Sequence, residues 1–451
     1  MKTRKLINAL FVCAALVGAQ SCLFEQADIF EKPSSTRMNE YCKETEDILM
    51  AEESGWIMEY FSGLDQSYGG YTFYLKFISD SEMFGTAENP VKAVSAMSEI
   101  HPQAETTLFK MTYDNGPVLS FDQNNSVLHY FATPSSYEYQ AKHGDFEFTV
   151  MSYAADKIVL RGKRSNNICV LTPFKQMVDI EYAGLEEAER ANITPERYIS
   201  DVVSVSESVK AATVEGVIGN QPVTGTVSLD ARAIKFTLTP ENADGEEEVI
   251  NMPFSFTPNG IKAYQNVTIG GCEFRELSYF PEENIFTNFV FTLQGKLPAN
   301  YADISEFIGN FTLKYSSGTM NISIVNSSDD RILVKGLNSN FDVAVSYDKS
   351  RGCLRMLFQI IGKNGANSVK WCPLDSGAGY FTWSDGVGLD ILLDEKDETR
   401  SRFLFKDNGV WGDYVADSFI VWEFDSADNN IGEYKGFGNS RYFGLESITR
   451  K

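Results

Sequence analysis

Two hydrophobic periods divide this chain. Over residues 34–53, Met38, Tyr41, Cys42, Thr45, Ile48 and Leu49 recur at the spacing of one helical face, which predicts an amphipathic helix with Ser34 or Ser35 as its cap and Gly55 as its end. From Trp56 the period drops to two. Tyr71, Phe73, Leu75 and Phe77 alternate with Thr72, Tyr74 and Lys76, so one face of a strand is apolar and the other more polar. Further strands are predicted at 107–113, 118–121, 127–131, 146–151 and 158–160, separated by turn signals such as Asp114-Asn115-Gly116. Helix-favouring residues interrupt the strands over 176–211, with Thr194-Pro195-Glu196 as a helix start. Strands resume at 223–229, 234–238, 254–256 and 289–293, and Lys296-Leu297-Pro298 marks a boundary. Beyond it, short strands recur as far as 419–422, including 354–358, 381–383 and 403–405.

Many short strands with turns between them must bury an inner face, which predicts a mainly β chain of antiparallel sandwich or barrel-like domains, with an N-terminal amphipathic helix and a helical insertion. The divisions expected are a helix plus β domain at 34–175, a helical segment with a β continuation at 176–297, and a C-terminal β domain at 298–451. At 451 residues, the chain exceeds what one hydrophobic core usually organises.

The front of the chain follows neither period. Lys2, Arg4 and Lys5 precede an apolar run from Leu6 to Ala19, and Gln20-Ser21-Cys22 closes it. A basic start, a run too short to span a bilayer comfortably and small residues ahead of a cysteine have the form of a secretion signal, residues 1–21, ending at a lipidation site, Cys22. Residues 22–33 form a tether. A second reading is a plain signal peptide with Cys22 an ordinary thiol. No apolar run after Cys22 reaches membrane-spanning length. The expected arrangement is a body anchored to a membrane through lipid on Cys22, not threaded through it.

The net charge of −23 disfavours general binding to phosphate backbones, so nucleic acid is not expected as a partner. The three histidines His101, His129 and His143 form no HExxH and no pair at helical spacing, so neither a metal nor a cofactor is expected. His129, inside an apolar run, is read as a hydrogen-bonded strand histidine. The segment 425–433 gathers oxygen ligands near Gly432 without EF-hand spacing and is read as a polar turn. No GxSxG elbow is present, and with 62 acidic residues some carboxylate pair always looks plausible, so no catalytic residue is assigned. Cys42, Cys169, Cys272, Cys353 and Cys372 lack CxxC spacing; one Cys353–Cys372 bridge and buried free thiols both fit.

Trp371, Trp383, Trp411 and Trp422 crowd the C-terminal part with Tyr380, Tyr414, Tyr434 and Tyr442. Trp383 and Trp422 lie in strand-like patterns and are expected in the core. Trp411 lies in the glycine-flanked loop Asn408-Gly409-Val410-Trp411-Gly412-Asp413 and is, with Tyr414, the candidate for an exposed contact.

Several stretches resemble a lipoprotein family of gut Bacteroidetes classed as a domain of unknown function. They are Asp28-Ile29-Phe30-Glu31, Gly55-Trp56-Ile57-Met58-Glu59-Tyr60, Gly70-Tyr71-Thr72-Phe73, Asp114-Asn115-Gly116-Pro117-Val118-Leu119-Ser120-Phe121 and Phe146-Glu147-Phe148 through Arg161-Gly162-Lys163. The resemblance implies a setting beside starch-utilisation-type importers, in which the partners are a barrel transporter and its lid lipoprotein. It also implies that Glu25 and Asp28 belong to an acidic surface-export signal. It carries over no catalytic residue. Two other function classes stay open at this point, a glycan or peptide hydrolase with unrecognised carboxylates and a structural subunit of surface fibres.

Overall fold

The computed structural model describes residues 32–88, 104–114, 116–134, 141–238, 247–327, 331–437 and 441–451. Cys22 with its signal and tether, His101 and Asn115 lie outside the described residues. The protein is mainly β, with 49% strand against 15% helix, and its sheets are antiparallel and barrel-like.

The first unit is an open sheet of nine strands. Across the sheet they run Glu105–Leu108, Glu82–Ala87, Gly70–Phe77, Trp56–Phe61, Ile168–Pro173, Lys157–Gly162, Glu147–Ala154, Pro117–Ser120 and Lys110–Tyr113. The helix Ser34–Ala51 covers one face. Cys42 Sγ donates to Thr112 O at 3.2 Å, Tyr41 meets Tyr153 edge to face at 4.4 Å, and Trp56 Nε1 donates to Leu49 O at 3.1 Å. Neither serine caps this helix through its side chain; Pro33 occupies the cap position. Gly55, at φ +79°, ends the connection, and a Cβ there would strike the Tyr74 ring.

The run 127–131 is not a strand. Residues His129–Phe131 form a 3-10 turn, because Asn125 Oδ1 accepts from Leu128 N at 2.8 Å and bends the chain. Burial of Val127, Leu128 and Phe131 accounts for its apolar character. His129 Nδ1 accepts from Asn125 N at 3.3 Å and its ring stacks on Phe146 at 4.8 Å.

After the helices Phe174–Glu181, Glu187–Arg190 and Pro195–Ser208, eight strands close into a barrel: Thr213–Ile218, Gln221–Ser228, Ala233–Leu238, Glu248–Thr257, Gly260–Ile269, Cys272–Phe280, Ile285–Thr287 and Thr292–Lys296. Each strand pairs with the next in sequence, and Val214 opposite Gly295 seals the ring. The last strand starts later than the predicted 289–293. Its hairpin tip instead holds Phe289 and Val290 out in solvent, 83% and 77% exposed.

This barrel covers the second face of the open sheet. Met58, Tyr60, Phe73 and Leu75 pack toward the N-terminal helix, whereas Ile57 and Tyr74 join the core shared by the barrel and the helices. Thr72 and Tyr74 of the polar row are therefore also buried, while Lys76 stays exposed. Thr72 Oγ1 donates to Phe256 O at 3.1 Å and Thr72 N donates to Glu88 at 3.0 Å. Arg232 reaches from a barrel turn into the seam, donating to Gly70 O at 2.7 Å and to Glu88 at 2.8 Å, with its guanidinium 3.8 Å from the Tyr71 ring centroid. Gly69 admits this approach, since a Cβ there would lie 2.3 Å from that of Arg232.

A second barrel follows: Gly309–Tyr315, Gly318–Asn326, Ile332–Lys335, Val343–Asp348, Cys353–Leu357, Gly388–Leu393, Arg402–Asp407 and Leu445–Arg450. Its order is broken twice by an excursion into a side sheet built around Asn367–Asp375 and Ser418–Phe424. Val369, Trp371, Phe419 and Val421 point into the barrel core, while Cys372, Ile420 and Phe424 form a small core on the far side. Cys353 and Cys372 thus sit in different sheets, and both are free thiols.

Candidate binding surface on the side sheet

The excursion positions the aromatic residues singled out in the sequence. Asn367–Asp375 ends in a tight turn, and the short strand Tyr380–Phe381 pairs back on it, with Tyr380 opposite Asp375. Past Asp407, the chain loops through Trp411 and Tyr414 before re-entering the side sheet at Ser418. Gly409 and Gly412 both take left-handed φ in this loop, at +72° and +64°.

Aspartates tie these loops together through backbone amides. Asp375 Oδ1 accepts from Ala378 N at 2.8 Å and its Oδ2 from Val415 N at 3.1 Å, so one carboxylate bridges both loops. These bonds hold the Asp375 carboxyl below its ordinary range. Asp407 accepts from Ala416 N at 3.0 Å and Gly409 N at 3.1 Å, and Asp417 accepts from Ser376 N at 3.0 Å. Each aspartate here is engaged as an acceptor that shapes the surface.

The result is a bent row of three rings. Trp411 leans on the barrel core and is half-buried. Tyr414 lies 5.1 Å from it and is 39% exposed, and Tyr380 lies a further 5.6 Å along at 68° and is 60% exposed. Val410 and Val415 beside the row are also exposed. Rings held this way offer flat apolar faces beside carboxylate acceptors, a combination that suits polyhydroxylated or mixed polar and apolar ligands.

The structure thus brings Trp411 and Tyr414 together and adds Tyr380, which sequence reasoning did not assign. Tyr380 joins only because the side sheet folds back on itself, a pairing no local pattern encodes. Trp383 is corrected: the strand stops at Phe381, so Trp383 is 41% exposed and not a core residue, lying edge-on to Phe424 at 5.3 Å. Trp422 is half-buried and leans on Phe381 at 4.7 Å. The segment around Asp425 closes its own turn, with Oδ1 accepting from Ala427 N and Asn429 N at 2.9 and 2.8 Å.

Residues 26–281 match the family described as "Domain of unknown function (DUF4302)", and residues 287–422 match a second domain of unknown function, DUF4987. No curated protein matches the chain. Among solved structures, a protein of unknown function from the DUF3598 family of Nostoc punctiforme shares 9% identity, with 55% of this chain and 99% of that chain covered at a TM-score of 0.13. The β subunit of DNA polymerase from Streptococcus pyogenes shares 12% identity, with coverage of 79% and 94% and a TM-score of 0.12.

Proposed function

Because the chain belongs to the DUF4302 family, whose description assigns no function, we propose a role from its own surface and front segment: a lipid-anchored binding protein of the outer membrane. It acts as an accessory of a nutrient-uptake complex and works by contact, without catalysis. The observation that carries this reading is the row of exposed Tyr380 and Tyr414 backed by half-buried Trp411, fastened by aspartates that already serve backbone amides. Rings pre-set in this way lose little side-chain freedom when a ligand or partner covers them. Lipid on Cys22 holds the row near the membrane, where a barrel transporter and its lid lipoprotein are the expected partners.

Gentle detergent extraction of outer membranes, with capture through a tag at Lys451, tests this reading. The transporter and lid are recovered with the parent protein and lost with the triple variant Y380A/W411A/Y414A. Absence of both partners from the parent capture contradicts the proposal.

A further inference from the structure

Between the two barrels lies a cleft of about 400 Å³ that the aromatic row does not touch. Its floor is apolar, made by Val227, Leu229, Pro298 and Leu392, and its walls carry Asp230 from the first barrel and Asp348 and Arg351 from the second. This volume falls within the range of small-ligand sites, which favour domain interfaces.

The charges around the cleft are built, not scattered. Asp390, 1% exposed on the strand Gly388–Leu393, takes Arg351 Nη1 at 2.6 Å and faces Arg355 Nε at 3.6 Å. That second contact is too long for a hydrogen bond, so Asp390 Oδ1 and Arg355 Nε are left buried without partners. Among the described residues, the Arg351 guanidinium makes its hydrogen bond to Asp390, and Arg351 is also one of the residues that line the cleft. Asp348 Oδ1 accepts from Ser350 N and Arg351 N at 3.0 and 3.1 Å, which fixes the turn that carries the arginine. Asp230 meets Arg355 at 3.4 Å from the opposite barrel and stays largely exposed. The cleft lining thus carries two carboxylates, Asp230 and Asp348, and one guanidinium, Arg351, which Asp390 holds from behind. The set is complementary to a ligand that brings an ammonium and a carboxylate together.

We propose that this cleft binds a free aliphatic α-amino acid, with its carboxylate on Arg351, its ammonium between Asp230 and Asp348, and its side chain on the apolar floor. Charge-assisted hydrogen bonds at both ends give selectivity, since a ligand lacking either charge forgoes one of them. The site depends neither on the lipid anchor nor on the aromatic row.

Calorimetric titration of the mature full chain with L-leucine, N-acetyl-L-leucine and L-leucinamide tests it. L-leucine is expected to bind with Kd of about 1 mM or tighter, and each blocked analogue about tenfold more weakly. The exposed substitution D230N is expected to weaken L-leucine by about tenfold without lowering the melting temperature, and R351K to weaken it similarly. No heat with L-leucine at about 10 mM, equal binding of the blocked analogues, or indifference to both substitutions would overturn the proposal.

Discussion

The two barrels have the same strand count and opposite relations to their surroundings. The first is an unbroken meander from Thr213 to Lys296, and it spends one flank on the open sheet. Arg232 and Glu88 are buried there, and Lys262 and Arg275 meet Glu59 at 2.5 and 2.8 Å. The second barrel interrupts itself after Cys353–Leu357 and again after Arg402–Asp407, and these excursions carry Tyr380 and Tyr414 outward. Buried ion pairs in a seam make removal of one partner costly, whereas exposed rings on a fastened loop cost little to change. Charge thus marks the structural seam of the first barrel, and exposed aromatic rings mark the excursion from the second.

The largest effect that would break this contrast sits at Arg232. R232A leaves Glu88 buried without its cation and removes the guanidinium from Tyr71, so a loss of about 3–5 kcal/mol is expected in denaturant unfolding. The pair Y380S/Y414S is expected to change stability by less than about 0.5 kcal/mol. Equal losses in the two regions would remove the distinction.

A smaller effect is tied to pH. Glu181 at the end of the helix Phe174–Glu181 is pushed up to about 7 by burial and by the charge of Glu276. The folded state therefore keeps this proton over a range where the unfolded state has lost it. Stability falls as pH rises from the ordinary value of 4.5 toward 7, and the penalty stays constant above that. E181Q is expected to be more stable than the parent at pH 8, by on the order of 2 kcal/mol, and equal to it near pH 4, read from thermal unfolding at both values.

The smallest effect is at the first barrel's hairpin tip, where Phe289 holds φ +68° while 83% exposed. Asparagine tolerates that conformation better than phenylalanine. F289N is expected to stabilise the barrel by about 0.5–1 kcal/mol in chemical denaturation. Destabilisation would mean that the ring holds the tip.

The period-two pattern made the β class legible, and the helical segments were legible from Thr194-Pro195-Glu196 and from the spacing of Tyr41, Thr45 and Leu49. Which face a strand buries was less so. Thr72 and Tyr74 look like a half-polar face, yet both are buried: Phe256 O of the barrel accepts from Thr72 Oγ1, while Glu88 and Ser54 O of the first unit accept from Thr72 N and the Tyr74 hydroxyl. The run around His129 was misread because burial, not pairing, selects its apolar residues. At the side sheet, the glycines beside Trp411 signalled an exposed loop. Tyr380 carried no such signal, because its place depends on a hairpin closing back onto Asp375.

The proposed role requires a body held at a membrane while its second barrel makes contact. Growth with labelled palmitate, followed by isolation of the mature chain and mass analysis of its first residue, tests this most directly. Label on Cys22 as the new N-terminus, absent from C22A, is the predicted result. A mature chain without label, or one that begins beyond Cys22, would contradict it.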